Sequence, residues 1–214
     1  LIVTWLLARR IRRAVLDMGP SGYPFEKLLG EVFRKRGYQV EVGRMVKGKC
    51  VDHEVDVVAR SQTELILGEA KFHNNQSFKT DVKVALYIHA RMLDLEANDF
   101  AGLCPKGGKT LSYLITNTKF TDAAIAYGTC VGLTMIGWGY PHKGNVHDLI
   151  EEAGLHPLSC LTTVTRKEKE VLYQHGIVLC RALSDNPNLL ELAGVTGSKV
   201  DDVITEANRL CGVV

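Results

Sequence analysis

The chain has no Cys-x-x-Cys pair among its six cysteines, no apolar run long enough to cross a bilayer, and a formal charge of only +2 over 214 residues. Each absence excludes something. Cys50 and His53 have a ligand-like spacing, but no second pair completes a zinc site, so reduced thiols in a cytoplasmic protein are expected. No membrane span is expected. Leu1 to Ala8 is apolar but short, and Arg9, Arg10, Arg12 and Arg13 follow it, which is the wrong charge order for a signal peptide. With so little net charge, affinity for a polyanion has to come from a local patch. No cofactor fingerprint is present either. Gly107-Gly108-Lys109-Thr110 imitates the end of a phosphate loop, but the place of its first glycine is Leu103 and the segment leads into a strand.

What remains is an ordinary globular composition, 46% hydrophobic and 23% charged, with enough residues for one good core and a small appendage. Within it, Glu69-Ala70-Lys71 closes an apolar run, and Asp56 lies near the end of the preceding one. Both runs read as β-strands. In Val51 to Arg60, alternation places Val51, Val55, Val57 and Ala59 on one face and Asp52, Glu54, Asp56, Val58 and Arg60 on the other. Leu65 to Phe72 is the next strand, entered through Ser61-Gln62-Thr63-Glu64, and its alternation points Glu69 and Lys71 the same way. A hairpin would bring Asp56 beside Glu69.

An acid on one strand and an acid-x-lysine on the next can hold a divalent metal against a phosphodiester. Mg²⁺ takes oxygen ligands, usually one or two carboxylates with waters and phosphate oxygens. Asp56 and Glu69 would supply carboxylates and Ala70 its carbonyl. Lys71 would orient or deprotonate the attacking water, or neutralise the phosphate. Glu-x-Lys on a strand is by itself more often a solvated face. Here Leu65-Ile66-Leu67-Gly68 reads as a buried strand, and charges at the end of a buried strand need a reason.

The wider pattern carries a resemblance. Gly22-Tyr23-Pro24-Phe25-Glu26-Lys27-Leu28-Leu29 opens a helix to about Arg36, and Gly37-Tyr38-Gln39-Val40-Glu41-Val42 turns into a strand. His53-Glu54-Val55-Asp56-Val57-Val58-Ala59 and Gly68-Glu69-Ala70-Lys71-Phe72 follow. Further on, Leu111 to Thr118 leads into the Phe120-Thr121 pair that starts a helix. Residues 22 to 140 resemble the catalytic domain of the Mrr-like restriction endonucleases of the PD-(D/E)xK nuclease superfamily. Val55 stands where the motif's name has proline, and position 69 is Glu where Mrr proteins often have Gln. The resemblance implies an α/β fold, a restriction-endonuclease-like core of order α-β-β-β-α-β-α-β with a mixed sheet flanked by helices. It implies Asp56, Glu69 and Lys71 as the catalytic set with Glu26 as the helix acid, Mg²⁺ (or Mn²⁺) as cofactor, DNA as partner, and a homodimer for cutting two strands. Glu54 shares the face of Asp56 and would assist, or is a solvent-facing acid. Glu26 is alternatively a first-turn acid complementing the helix dipole.

Three segments fall into place around that core: 1–20 an N-terminal helix or linker, 21–140 the catalytic domain, 141–214 a small all-α domain. In some proteins with a similar Glu-Val-Asp and Glu-Ala-Lys arrangement an ATP-cone domain precedes the nuclease. Leu1 to Leu16 would be its tail, or else a plain or dimerising helix. The sequence opens on Leu1 rather than Met, and a missing upstream domain is one expectation. A long helix from Phe78 to about Asn98 carries Lys79, Lys83 and Arg91 as candidate phosphate contacts, with Tyr87 one turn from Arg91. His73 and Gln76 follow Lys71 in a loop. Val131 to Trp138 is the last core strand. Beyond it, helices are expected at Val146–Ala153, from a Thr165/Glu168 capping box to His175, at Asp185–Ala193, and from a Ser198 cap to Leu210. Leu192 to Val200 resembles the hairpin of a helix-hairpin-helix module, one residue longer than usual between Gly194 and Gly197. Its Lys199 would face DNA phosphate, unless the hairpin is a packing or dimerisation cap.

The functional expectation is a metal-dependent DNA endonuclease. A Holliday-junction resolvase on the same core, or a non-catalytic DNA-binding or regulatory module, are the alternatives. The intact set of acids argues against the last.

Overall fold

The computed structural model describes residues 11–19 and 21–212. Residues 11–16 are helical (α1) and bury Ile11, Ala14 and Val15. The ATP-cone reading falls mainly on residues 1–10, outside the described ones.

Helix α2 (Tyr23–Lys35) has Pro24 and Glu26 in its first turn and Arg34 and Lys35 in its last, all in dipole-compatible places. Phe25, Leu28, Leu29, Val32 and Phe33 recur at helical spacing and are buried as one face. Strands β1 (Gln39–Lys47), β2 (Asp52–Arg60) and β3 (Glu64–Lys71) then form an antiparallel meander. After the short β4 (Lys79–Thr80), helix α3 (Val82–Glu96) crosses over to β5 (Lys109–Thr116), parallel to β3. The short β6 (Lys119–Phe120) and helix α4 (Asp122–Cys130) lead to β7 (Thr134–Ile136), parallel to β5. The sheet order is β1-β2-β3-β5-β7, with β4 and β6 paired separately. This is the expected restriction-endonuclease-like order, a mixed sheet flanked by helices.

Both faces of the sheet are covered. Val57, Ala59, Ile66, Ile115 and Ile136 join α1, α2 and the C-terminal helices in one buried cluster. Val58, Leu65, Leu67, Leu114 and Met135 join α3 and α4 in the other. The uninterrupted Leu65-Ile66-Leu67 run is what a strand buried on both sides requires.

The face assignment expected for β2 holds only in part. Val57 and Ala59 share a cluster, but Val55 lies in the other one with Val46, and Val51 is exposed. The switch falls at Asp56, which lies between paired residues opposite Gly43, and Gly43 has φ +68°. That left-handed geometry suits glycine and re-aims the outer half of the hairpin. Asp94 of α3 holds the hairpin's far end, accepting hydrogen bonds from the N–H groups of Cys50 (2.8 Å) and Val51 (3.3 Å) and bonding His53 Nε2 at 2.8 Å. Cys50 and His53 thus share a carboxylate partner.

Other boundaries moved for local reasons. The long helix begins at Val82 rather than Phe78, because Asp81 caps it through the N–H groups of Lys83 and Val84. Lys79 therefore lies in β4, beside Lys119, and not on the helix. The last core strand covers only Thr134–Ile136 of the expected Val131–Trp138.

The C-terminal part is helical as expected: α5 (Val146–Glu152), α6 (Arg166–Gln174), α7 (Cys180–Asp185) and α8 (Ser198–Cys211). The Thr165/Glu168 capping box is formed. The expected Asp185–Ala193 helix is instead the end of α7 followed by a 3-10 turn, Pro187–Ala193. Gly197, not Ser198, is the N-cap of α8, and it offers no side-chain cap. Among the described residues no helix is long and apolar enough to cross a membrane.

Candidate active site

The site begins where the β2–β3 ladder stops. Pairing runs from Arg60↔Leu65 to Val57↔Gly68 and does not continue to Asp56 and Glu69. In its place, Asp56 Oδ2 accepts a hydrogen bond from the N–H of Ala70 at 2.7 Å. The side chain thereby satisfies a backbone donor that the departing strand leaves bare. β3 itself continues in register with β5, with Glu69, Ala70 and Lys71 beside Leu114, Ile115 and Thr116. The N–H and C=O of one strand residue point to the same side, so the Ala70 carbonyl faces the same split.

Glu69 is 3% exposed. It lies on the face of Leu65 and Leu67, looking towards α3, and two cations enclose it. Lys71 Nζ donates to Oε1 at 2.6 Å, and Arg91 of α3 donates to Oε2. Arg91 is itself fixed: it also donates to the Glu54 carbonyl at 2.9 Å and the Tyr87 hydroxyl at 2.7 Å. The two cations differ in access. The Lys71 side chain is 33% exposed, that of Arg91 11%.

Asp56 and Glu26 carry the opposite imbalance. Burial pushes the Glu26 carboxyl up to about 7, and the charges of Asp56, Glu54 and Glu69 add to it while Lys71 opposes them. Asp56 is raised to about 6 by burial and then by Glu69, against the Ala70 N–H, Lys71 and Arg91. Four carboxylates act on one another here with two cations beside them, and both cations are turned to Glu69. A surplus of partly buried oxygen donors with unrelieved negative charge fits a hard divalent cation. Among the described residues, no three His, Cys, Asp or Glu side chains already converge as a ready-made cage.

The structure thus brings Asp56, Glu69, Ala70, Lys71 and Glu26 to one end of the sheet. It separates the four basic candidates. Lys79 and Lys83 are exposed. Arg91 is no free phosphate contact, because Glu69 engages it inside the site. Lys199 forms an ion pair with both oxygens of Glu168, at 2.7 and 2.8 Å, in the C-terminal part. His73 is held in its loop by Asn117 and Thr80. Reading the sequence alone missed the Arg91–Glu69 pair. Its only signal was the four-residue spacing of Tyr87 and Arg91, which puts both on one face of α3 without saying what that face meets.

Residues 19–136 match the family model described as restriction endonuclease (Mrr_cat), and residues 156–211 match that described as AF1548-like, C-terminal. An uncharacterized protein of Archaeoglobus fulgidus is 36% identical over 188 residues, which span 86% of this chain and 100% of that one. The crystal structure of AF1548, a protein of unknown function, is similar with a TM-score of 0.72 and 33% identity, over 91% of this chain and 100% of that chain. The MspJI restriction endonuclease, solved in complex with a 27-mer oligonucleotide, gives a TM-score of 0.38 and 15% identity over 87% of this chain and 36% of that one.

Proposed function

The chain belongs to the Mrr_cat restriction endonuclease family over residues 19–136, and from that premise we propose that it is a metal-dependent endonuclease that hydrolyses DNA phosphodiester bonds. The observation that carries the reading is the charge arrangement at the split strand end. A buried Glu69 is tied to Lys71, and Asp56 and Glu26 beside it are pushed up to about 6 and 7 by burial and by the neighbouring carboxylates, Glu69 for Asp56 and Asp56, Glu54 and Glu69 for Glu26.

Asp56, Glu69 and the Ala70 carbonyl would hold Mg²⁺, with Mn²⁺ able to substitute, and Glu26 would serve a second ion. Such an ion supplies charge neutralisation at the phosphoryl oxygens and a more acidic bound water. The remaining roles belong to the chain. Lys71 is the more accessible of the two cations, so it meets the substrate, holding the attacking water or neutralising the scissile phosphate. Arg91 is enclosed and keeps the Glu69 carboxylate oriented, which makes it a positioning residue. Burial of the acids on a strand backed by two apolar layers keeps their geometry rigid and strengthens their charge interactions. Cutting both strands of a duplex would take two such sites, which favours a homodimer on the DNA.

The test is incubation of supercoiled and branched DNA with Mg²⁺ or Mn²⁺, comparing wild type with Asp56→Ala and Lys71→Ala. Wild type should nick or linearise DNA, and Lys71→Ala should lose about 10²- to 10⁴-fold in rate. Folded wild-type protein that cleaves none of these DNAs with either metal would sink the reading.

A further inference from the structure

Beyond Lys71 the chain leaves β3 and lines an open cleft of about 490 Å³, whose walls include Ala70, Lys71, Phe72, His73, Asn74 and Phe78. Two phenylalanines flank this stretch and are treated oppositely. Phe72 turns inward against Phe25, with ring centroids 6.0 Å apart. Phe78 is 59% exposed. Its ring lies nearly parallel to His73, 10° between planes and 5.9 Å between centroids.

That exposed ring is not on a slack loop. Asn117, itself buried, accepts from the His73 N–H and donates to the His73 carbonyl, both at 2.8 Å. His73 Nε2 bonds the hydroxyl of buried Thr80 at 3.2 Å. Asn75 closes the turn, its Oδ1 accepting from the N–H of Ser77 at 2.9 Å and its carbonyl from the N–H of Phe78 at 3.1 Å. Two buried polar side chains and a closed turn therefore hold an apolar ring in water, at the edge of a cleft that Lys71 also lines.

The surroundings say what would cover it. Asn74 and Asn75 share the cleft lining with Lys71, His73, Ala70 and Phe72, so polar and charged groups lie beside the exposed ring. Lys71 lines the same cleft and exposed Lys79 follows Phe78 directly. The adjoining cleft is lined by Arg12, Arg13, Leu16, Asp17, Asn74, Asn75 and Gln76, with Arg13 paired to Asp17 at 3.7 Å and Arg12 over the Trp138 ring. An exposed π-face in a cleft shared with Lys71 and with amide side chains is the chemistry that binds a base stacked out of a helix and the phosphate beside it. An intact duplex offers this ring only base edges and backbone, since its base faces are already stacked.

We propose that the cleft beside Lys71 seats one unpaired nucleobase, stacked on Phe78 with His73 as its backing, so that the substrate is DNA with an unpaired nucleotide next to the scissile phosphate. This rests on the nuclease reading above and narrows its substrate. Phe78 contributes stacking, His73 rigidity, and Asn74 an amide for the edge of the base.

The experiment measures binding of the full chain, in EDTA, to a duplex with a single-base bulge, the same duplex with an abasic bulge, and the blunt duplex. 2-Aminopurine at the bulge reports stacking. Wild type should quench 2-aminopurine and prefer the base-containing bulge to the abasic one. Phe78→Ala should weaken that binding about 10-fold while sparing the blunt duplex, and Phe78→Trp should restore it. Equal affinity for base-containing and abasic bulges, or an equal effect of Phe78→Ala on all three DNAs, overturns the proposal. Cleavage assays with Mg²⁺ separate the two readings. Duplex cleavage without any bulge preference leaves the nuclease and removes the base seat. Bulge-selective, Phe78-dependent binding without cleavage leaves the base seat and removes the nuclease.

Discussion

Glu69 and Glu206 are both buried glutamates, 3% and 5% exposed, and the fold neutralises them in different ways. Glu206 of α8 accepts from the N–H and hydroxyl groups of Thr162 and Thr163, at 2.8 to 3.0 Å. Burial alone would raise its pKa, but those bonds outweigh it and hold the carboxyl below its ordinary value. Glu69 is held by two side-chain cations, and the acids beside it, Asp56 and Glu26, are pushed up. Local neutral donors close the first acid into a structural clasp between α8 and the loop before α6. The second sits in a neighbourhood whose charges do not balance by themselves. Burial of an acid does not distinguish a tie from a site; the ionisation of its neighbours does.

The sharpest way to break this contrast is to remove each acid. Glu69→Ala should lower DNA cleavage by more than about 10²-fold, since several kcal/mol of transition-state stabilisation is at stake. Glu206→Ala should leave cleavage per folded molecule unchanged and lower unfolding stability by about 2 kcal/mol, read from denaturant melts, because the hydrogen bonds from Thr162 and Thr163 to its carboxylate are lost. Cleavage lost in Glu206→Ala at full occupancy of the folded state would erase the distinction.

Arg91→Met comes next. It should weaken Mn²⁺ binding or slow cleavage by about 10- to 100-fold, the usual effect of losing a group that orients a metal-binding acid. Titrating Mn²⁺ by calorimetry checks it independently of turnover.

A smaller effect follows from pH. In the unfolded chain Asp56 and Glu26 ionise near pH 4, whereas folded they ionise near 6 and 7. The folded protein therefore keeps protons that the unfolded chain has already released. Stability without metal should fall as pH rises from about 4 to 7 and then level off. Thermal melts in EDTA should show that slope, Glu26→Gln should flatten its upper part, and Mg²⁺ should raise Tm most at pH 8. A Tm that rises across this window would refute the charge surplus.

The smallest effect is expected at Lys199→Ala. Loss of its pair with Glu168 should cost at most about 1 kcal/mol, with no change in DNA affinity at any salt concentration. A salt slope lower by about one unit would instead put the α8 end on DNA.

Much of this was legible in the chain. Alternation placed Glu69 and Lys71 on one side of a buried strand, helical spacing put Glu26 in the first turn of α2, and the capping box at Thr165 formed as written. What was not legible depends on contacts between elements distant in sequence. The Gly43 geometry that moves Val55 to the other face, the ladder's stop at Asp56, and the pairing of Arg91 with Glu69 across 22 residues have no local pattern. Lys79 moved off its expected helix because Asp81 made a better cap and β6 offered a partner strand.

By itself, the sequence determined which residue types stand at the strand end, their alternation, and the order of helices and strands, because these follow from periodicities of two and 3.6 residues along one segment. Only the tertiary structure decided which cation meets which acid, which acids stay partly protonated, and which of two phenylalanines is left exposed. Those outcomes depend on burial and on distances between side chains, and no segment sets either alone.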